Sequence, residues 1–319
     1  MSEINVNLKT ALIIGAAGFV GGYLAEELKA SGRRVFVTRL HGEHYNGACD
    51  SAFYLDVTDA DSVRSVLEST LPDEIYHLAA QSSVAVSWKK PALTVDVNIR
   101  GAVNLLEGVR EVVPDAVVML IGSAEEYGAV KPEECPVSEG HAVRPKNIYA
   151  MTKAAQNMTG RLYSDAYGMK IRMVRAFNHF GPGQAPQFVI SDFCRQVAEI
   201  EAGRKQPILK VGNLEARRDF TDVRDIVRAY RMIAESGCDG ETYNVGSGTA
   251  ISIREMLETI LSLSEAMIAV EQDPERMRPS DVPIHCADIS MIVRDIGWKP
   301  RIAREDTVRA TLDYWREHI

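Results

Sequence analysis

Three glycines set the frame for this chain. The apolar run Thr10-Ala-Leu-Ile-Ile14 meets Gly15-Ala-Ala-Gly18-Phe-Val-Gly21 with no residue between them, and a helical pattern runs from Phe19 to about residue 30. A short apolar run that ends on glycine reads as a buried parallel strand. In a turn from such a strand into a helix, the first glycine permits the tight bend and the second lets backbone approach a pyrophosphate. The third lets helix pack on strand. The helix N-terminus then offers free N–H groups and the positive end of its dipole to phosphates. Glycines also mark ordinary turns, so the bare pattern is weak. At the start of a strand–helix–strand unit it predicts dinucleotide binding, with Gly15, Gly18, Phe19, Val20 and Gly21 around the phosphates.

The rhythm continues down the chain. Further strands are expected at 35–38, 52–55, 74–78, 116–121 and 170–176, and helices at 60–67, 93–112 and 149–167. Strands alternating with helices predict an α/β fold with a Rossmann-type, doubly wound parallel sheet. After Gly181-Pro-Gly183 the pattern breaks into loops rich in Arg, Pro and Gly, mixed with short helices. The expected division is a dinucleotide-binding domain over 1–180 and a smaller mixed α/β substrate domain over 181–319, some of whose segments return to the first sheet. In an open α/β sheet ligands lie beyond the carboxyl ends of the strands, so the segments after each strand are where chemistry is sought.

Composition closes off several other classes. The 319 residues suffice for one large and one smaller domain. A net charge of −8 offers no basic surface to nucleic acid or to an anionic membrane. Cys49, Cys135, Cys194, Cys238 and Cys286 are scattered without a CxxC pair. They are expected to be reduced thiols, not a disulfide frame or a metal site. Residues 1–10 carry no apolar signal segment and no run is long enough to span a bilayer, so a cytoplasmic protein is expected.

The end of the second strand bears on which dinucleotide fits. NAD sites place an Asp or Glu there to hold the ribose 2′-OH. Here the stretch reads Phe36-Val-Thr-Arg39-Leu40, with no acid. Arg39 suits the 2′-phosphate of NADP through a charge-assisted contact; the plainer alternative is a solvated surface arginine. Asp56 and Val57 after the third strand, and Leu78, Ala79 and Ala80 after the fourth, fall where adenine and ribose should lie.

Two Tyr-x-x-x-Lys pairs occur. Tyr127 and Lys131 are separated by Gly128 and followed by Pro132, which reads as loop, so their side chains share no face. Tyr149-Ala-Met-Thr-Lys153 opens a helical run, and residues four apart on a helix are neighbours. A free tyrosine, with a pKa of about 10, is a poor acid or base at neutral pH, and a nearby ammonium favours the phenolate. Exposed pairs of this spacing are common, so the pair alone means little. Ser123, in Gly122-Ser-Ala-Glu-Glu-Tyr-Gly128 after the fifth strand, adds a donor for a substrate oxygen at the same sheet edge.

At this point the chain resembles the extended short-chain dehydrogenase/reductases that modify nucleotide sugars, over nearly its whole length. The Gly122–Gly128 loop carries the resemblance together with His77-Leu-Ala-Ala-Gln-Ser-Ser-Val84 and Phe177-Asn-His-Phe-Gly-Pro-Gly-Gln184. Further segments are 211–225, Tyr243-Asn-Val-Gly-Ser-Gly248, Arg278-Pro-Ser-Asp281 and Gly297-Trp-Lys-Pro300. Within that family it is most similar to the GDP-4-keto-6-deoxy-mannose reductases, then to the GDP-mannose 4,6-dehydratases. The resemblance implies Ser123, Tyr149 and Lys153 as the catalytic triad, with Lys153 also on the nicotinamide ribose. It implies a GDP-sugar substrate held by Gln81, Ser82, Asn178, Arg218, Arg278 and Asp281. Val189 and Lys210 are equally explained by local structure. A homodimer through the helices at 91–112 and 149–167 is also implied. A dehydratase must in addition remove a C5 proton, and its loop resembles Thr-(Asp or Ser)-Glu. Here the loop is Ser123-Ala124-Glu125, closer to the reductase version although Glu125 is present. A sensor that binds dinucleotide without turnover is the remaining alternative, since fold does not fix function. Such proteins typically lose the tyrosine or lysine, and both are retained.

Overall fold

The structure, a computed structural model, describes residues 8–276 and 282–319. Its frame is one parallel sheet of seven strands. The strands are β1 (Thr10–Ile14), β2 (Arg34–Arg39), β3 (Ser51–Tyr54), β4 (Glu74–His77), β5 (Val117–Ser123), β6 (Ile171–Ala176) and, from much later in the chain, Thr242–Val245. Their spatial order places the late strand outside β6, then runs β5, β4, β1, β2, β3. The order reverses at β1 and β4, which opens a crevice at their carboxyl ends. The helices that follow are α1 (Phe19–Ala30), α2 (Ala60–Thr70), α3 (Val84–Lys89), α4 (Pro91–Val95), α5 (Gly101–Val112) and α6 (Ile148–Tyr167). The doubly wound α/β fold read from the sequence is the one formed.

Each sheet face carries its own apolar layer. Ala11, Ile13, Val35, Val37 and Tyr76 point to one face and pack against Leu24 and Leu28 of α1, with Tyr230, Ile233 and Trp298 from later in the chain. Leu12, Ile14, Ile75, Val118 and Leu120 point to the other and meet Leu67 of α2 and Leu105, Leu106 and Val109 of α5. The alternation along each strand follows from the period of two, and burial on both faces explains why the strands read as continuous apolar runs.

Beyond residue 176 the chain builds a second lobe. Strands β7 (Asn178–Phe180), β9 (Arg217–Asp222), β11 (Ala250–Ser252) and β13 (Ile284–His285) form one small sheet. Strands β8 (Ile208–Val211) and β12 (Ala269–Gln272) pair separately. Helices α7 (Val189–Glu201), α9 (Ile253–Leu261) and α11 (Arg304–His318) close over a core with Phe180, Phe193, Leu209, Phe220, Met256 and Leu312. In between, α8 (Val223–Ser236) and β10 (Thr242–Val245) return to the first sheet, as does α10 (Ser290–Ile296).

Two aspartates join these parts. Asp219 is buried and accepts hydrogen bonds from the N–H groups of Ser247, Gly248 and Ala287, at 2.6, 2.9 and 3.1 Å. It thereby ties β9 to the segments that follow β10 and β13. Asp225 accepts from the N–H groups of Arg301 and Ile302, both at 2.8 Å, while its carbonyl takes the Trp298 indole. The long motif over 211–225 and the Gly297-Trp-Lys-Pro300 segment are therefore in contact, and these acids serve architecture.

Candidate active site

The glycine turn is built as its spacing demands. Gly15 adopts φ +85° with its Cα side 2.6 Å from the Ala79 backbone where a Cβ would stand, so any side chain would collide with the turn after β4. A Cβ on Gly21 would lie 2.1 Å from the Ala16 carbonyl. Gly18 caps α1 without a side-chain hydrogen bond, and the space above it is open apart from the Gly15 carbonyl at 3.8 Å. The Gly21 N–H donates to the Gly18 carbonyl at 3.1 Å. Among the described residues the Phe19 and Val20 N–H groups are left for a ligand, which fits a diphosphate. Beside the turn lies a pocket of about 340 Å³ lined by Gly18, Phe19, Tyr23, Tyr45 and Pro182. The Phe19 ring stacks on His179, and the Tyr23 hydroxyl donates to the Pro182 carbonyl at 2.8 Å. These contacts bring the loop after β7 over the glycine turn.

Ser123 stands at the carboxyl end of β5, on a single 3-10 turn over Ala124–Tyr127. A capping box fixes it: the Glu126 carboxylate accepts from the Ser123 N–H at 2.9 Å, and the Ser123 hydroxyl accepts from the Glu125 N–H at 3.2 Å. Glu126 is itself fully buried, paired with Arg175 Nε at 2.9 Å and with Asn157 Nδ2 at 2.9 Å. Burial pushes its carboxyl upward while Arg175 pulls the other way. Arg175 also donates to the Tyr127 hydroxyl, which donates in turn to Asn244 at 2.7 Å. Tyr127 is buried in a hydrogen-bonded network with Arg175 and Asn244.

Tyr149 lies in the first turn of α6, whose Asn147 cap accepts from the Ala150 N–H at 2.8 Å. Tyr149 is on the same sheet edge as Ser123, whose hydroxyl favours the phenolate. Burial pushes its pKa up to about 12; Ser123 lowers it, while Glu125 and Glu126 add to the rise. Lys153 is buried, donates to the Ile121 carbonyl at 2.7 Å and to Gln156 Oε1 at 3.2 Å, and makes no hydrogen bond to Tyr149. Burial pulls its pKa down to about 8, against the pull of Glu126. Tyr149 is held protonated. His77, at the end of β4, is pulled down to about 3 by burial and by the Lys153 charge, so it is neutral.

The remaining sequence-derived residues fall into distinct groups. Arg39 ends β2 and donates to the Glu43 carbonyl and the Tyr54 hydroxyl, at 2.5 and 3.0 Å. Asp56 is exposed and accepts from the Thr58 N–H and hydroxyl, and Val57 is buried against Gly101. Leu78, Ala79 and Ala80 line the turn next to Gly15, where the Leu78 and Ala79 N–H groups donate to the Ile14 carbonyl. Gln81 spends its side chain on Ser83 and Thr94, while Ser82 is exposed. Asn178 is exposed on β7 and Val189 opens α7. Lys210 is paired with Glu271 across β8 and β12. Arg218 donates to the Val282 carbonyl at 2.7 Å. Arg278 and Asp281 lie outside the described residues. Glu125 is exposed, with one carboxylate oxygen 3.2 Å from Asn147 Nδ2.

Sequence reasoning passed over Asn98. It sits in a π turn, Asp96–Arg100, inside the helical run expected to be regular. Its amide accepts from the Gln81 N–H at 2.8 Å and donates to the Gln81 carbonyl and the Thr152 hydroxyl, at 3.1 and 2.9 Å. It thereby locks the turn after β4 to α6. A lone Asn on the apolar side of a helix was the available signal. The buried Glu126 and Arg175 were also missed.

A nucleotide-accepting glycine turn and a Ser–Tyr–Lys cluster on one sheet edge define an extended short-chain dehydrogenase/reductase, an NAD(P)-dependent enzyme of the nucleotide-sugar type. More narrowly, the chain belongs to the GDP-mannose 4,6 dehydratase family, whose model matches residues 12–311. It is 32% identical to the GDP-6-deoxy-D-mannose reductase of Pseudomonas aeruginosa, over 90% of this chain and 98% of that one. It is 33% identical to GDP-mannose 4,6 dehydratase 2 of Arabidopsis thaliana, over 96% of this chain and 86% of that one. Among solved structures, RMD from Pseudomonas aeruginosa complexed with NADPH superposes with a TM-score of 0.87 at 30% identity, covering 98% of this chain and all of the other. The UDP-glucose 4-epimerase of Thermus thermophilus in complex with NAD gives 0.86 at 28% identity, with 97% and 100% covered.

Proposed function

We propose that the protein uses NADPH to reduce the C4 keto group of a GDP-4-keto-6-deoxy-hexose, giving a GDP-6-deoxy-hexose such as GDP-6-deoxy-D-mannose (GDP-rhamnose). The observation that carries the reading is the exposed Glu125, on the loop that carries Ser123, with its carboxylate 3.2 Å from Asn147 Nδ2. A carboxylate that must take a proton from carbon works best when desolvated and free; Glu125 is neither. Ala124 supplies no polar group where the dehydratase loop has one.

Bound NADPH would supply the hydride. Ser123 would hold the C4 oxygen, and Tyr149, protonated by its surroundings, would give its proton to that oxygen as negative charge develops. Lys153 would hold the nicotinamide ribose with the donor positions that Ile121 and Gln156 leave open. Arg39 would take the 2′-phosphate; since one structural relative holds NADPH and another NAD, the preference rests on this residue. Asn178, Arg218, Arg278 and Asp281 would face the nucleotide diphosphate and its ribose or base, with Gln81, Ser82, Val189 and Lys210 as further wall.

The test is a pair of incubations. GDP-4-keto-6-deoxy-mannose with stoichiometric NADPH should give loss of absorbance at the reduced nicotinamide band equal to product formed. GDP-mannose with catalytic cofactor should stay unchanged. Efficient conversion of GDP-mannose to the keto-sugar, with no net change in cofactor, would sink the reductase reading and make Glu125 the C5 base.

A further inference from the structure

We propose that Glu43 sets the choice between NADPH and NADH by opposing the 2′-phosphate that Arg39 attracts. This rests on the reading that Arg39 faces the cofactor's 2′ position. The residues after β2 fold back on themselves: the Glu43 N–H donates to the Leu40 carbonyl at 3.2 Å, with Gly42 at φ +88°. The turn delivers two groups of Glu43 to one place. Its carbonyl accepts from Arg39 Nη1 at 2.5 Å, and its carboxylate accepts from the Leu40 N–H at 2.8 Å.

The consequences for an incoming anion are opposite. Arg39 is held by a carbonyl and a phenol, lies 4.4 Å over the Tyr54 ring, and is paired with no carboxylate among the described residues. His41 stacks on the same ring with 4.0 Å between centroids. A guanidinium held only by neutral partners keeps its full charge for a phosphate. The adjacent Leu40 N–H, the second donor a phosphate would use, is already taken by the Glu43 carboxylate. A 2′-phosphate must displace that carboxylate or bind against its charge. A 2′-hydroxyl can instead donate a hydrogen bond to it. Glu43 therefore offers NADH the acid that is absent from the end of β2, brought back by the turn from four residues further on.

The experiment is a set of equilibrium titrations with NADPH, NADH, 2′,5′-ADP and 5′-AMP on wild type, Glu43→Gln, Glu43→Lys and Arg39→Ala. Glutamine keeps an acceptor for the Leu40 N–H, so the turn is preserved and only the charge goes. Glu43→Gln should tighten NADPH and 2′,5′-ADP by about fivefold to tenfold, the range expected for one unit charge near a phosphate at a solvated site. NADH and 5′-AMP should stay level or weaken, Glu43→Lys should move the ratio further the same way, and the gap should shrink in 0.5 M salt. Equal shifts for phosphorylated and unphosphorylated ligands, or weaker NADPH binding in Glu43→Gln, would overturn the role of Glu43 while leaving Arg39 intact. If Arg39→Ala changed NADPH and NADH alike, the 2′-phosphate reading would fail and this inference with it.

Discussion

Lys153 carries a stability cost at the scale of a single residue. Its ammonium is buried and its pKa pulled down to about 8, below the ordinary lysine range. A base whose folded pKa is depressed binds fewer protons folded than unfolded between those two values. Stability therefore rises with pH across that window, and the penalty is fully present below it. The depression corresponds to about 3 kcal/mol. Lys153→Met should recover part of this, because Gln156 Nε2 still donates to the Ile121 carbonyl at 3.2 Å. The expected outcome is a melting temperature at or above wild type at pH 7, with the difference closing between about pH 8 and 10, alongside loss of activity. Thermal melts across that range decide it, and a variant less stable at every pH would refute the assignment. Tyr149→Phe should leave cofactor binding near wild type and slow turnover by about 10²–10⁴-fold, which cofactor titration and single-turnover rates separate. At this scale the sequence made Tyr149, Lys153 and Ser123 legible because helical spacing and strand ends are local signals. The orientation of the Lys153 ammonium, and the buried Glu126 beneath Ser123, depend on contacts across 30 residues or more and had no local mark.

At the scale of elements, the turn after β5 and the turn after β1 are held by different means, and each makes a prediction. Ser123 is aimed by Glu126, which depends on Arg175 from β6. Removing one partner of a buried ion pair leaves an uncompensated charge and typically costs about 3–5 kcal/mol. Arg175→Met should lose stability of that order in urea denaturation and release Ser123 from its place. Arg175→Lys should fall between, since lysine cannot reach Glu126, Tyr127 and Glu139 with one fork. Gly15→Ala should destroy cofactor binding outright, because φ +85° and the Ala79 backbone leave no room for a methyl group; a titration showing near-normal affinity would contradict this. Six of the seven parallel strands were legible because they follow one another in the chain as short, mostly apolar runs. Strand β9, with Arg217-Arg-Asp at its start, has no apolar signature, and its partners β7, β11 and β13 come from 30 or more residues away or span only two or three residues. Nothing local marks β10 as a return to the first sheet either, since its place is set by its pairing with β6.

For the whole molecule, the outer face of α6 remains unexplained by a single chain. Met151, Met158 and Leu162 are 39, 58 and 66% exposed, at spacings of seven and four residues that put them on one stripe. Lys153, Gln156, Asn157 and Gly160 occupy the opposite, buried side of the same helix. Leu93 of α4 and Trp88 of α3 extend the apolar surface on neighbouring elements, at 44 and 61% exposed. An apolar stripe with coiled-coil spacing on an exposed helix is expected to be covered by another helix, and a two-fold contact of α6 with its own copy covers it without any second protein. The chain should therefore be a dimer at micromolar concentration, by light scattering after size-exclusion chromatography. Met158→Glu with Leu162→Glu would place two charges inside that contact, where desolvation without a partner costs several kcal/mol, so this variant should elute as a monomer. Both positions are on the solvent side of α6, so the secondary structure by circular dichroism should be retained. The catalytic edge would feel the change through α6 itself, which carries Tyr149 and Lys153 in its first two turns. The monomer should bind cofactor with a lower melting temperature and a smaller ligand-induced rise in it. A wild-type protein that stays monomeric at tens of micromolar would defeat the dimer, and a double variant that remains dimeric would move the interface elsewhere.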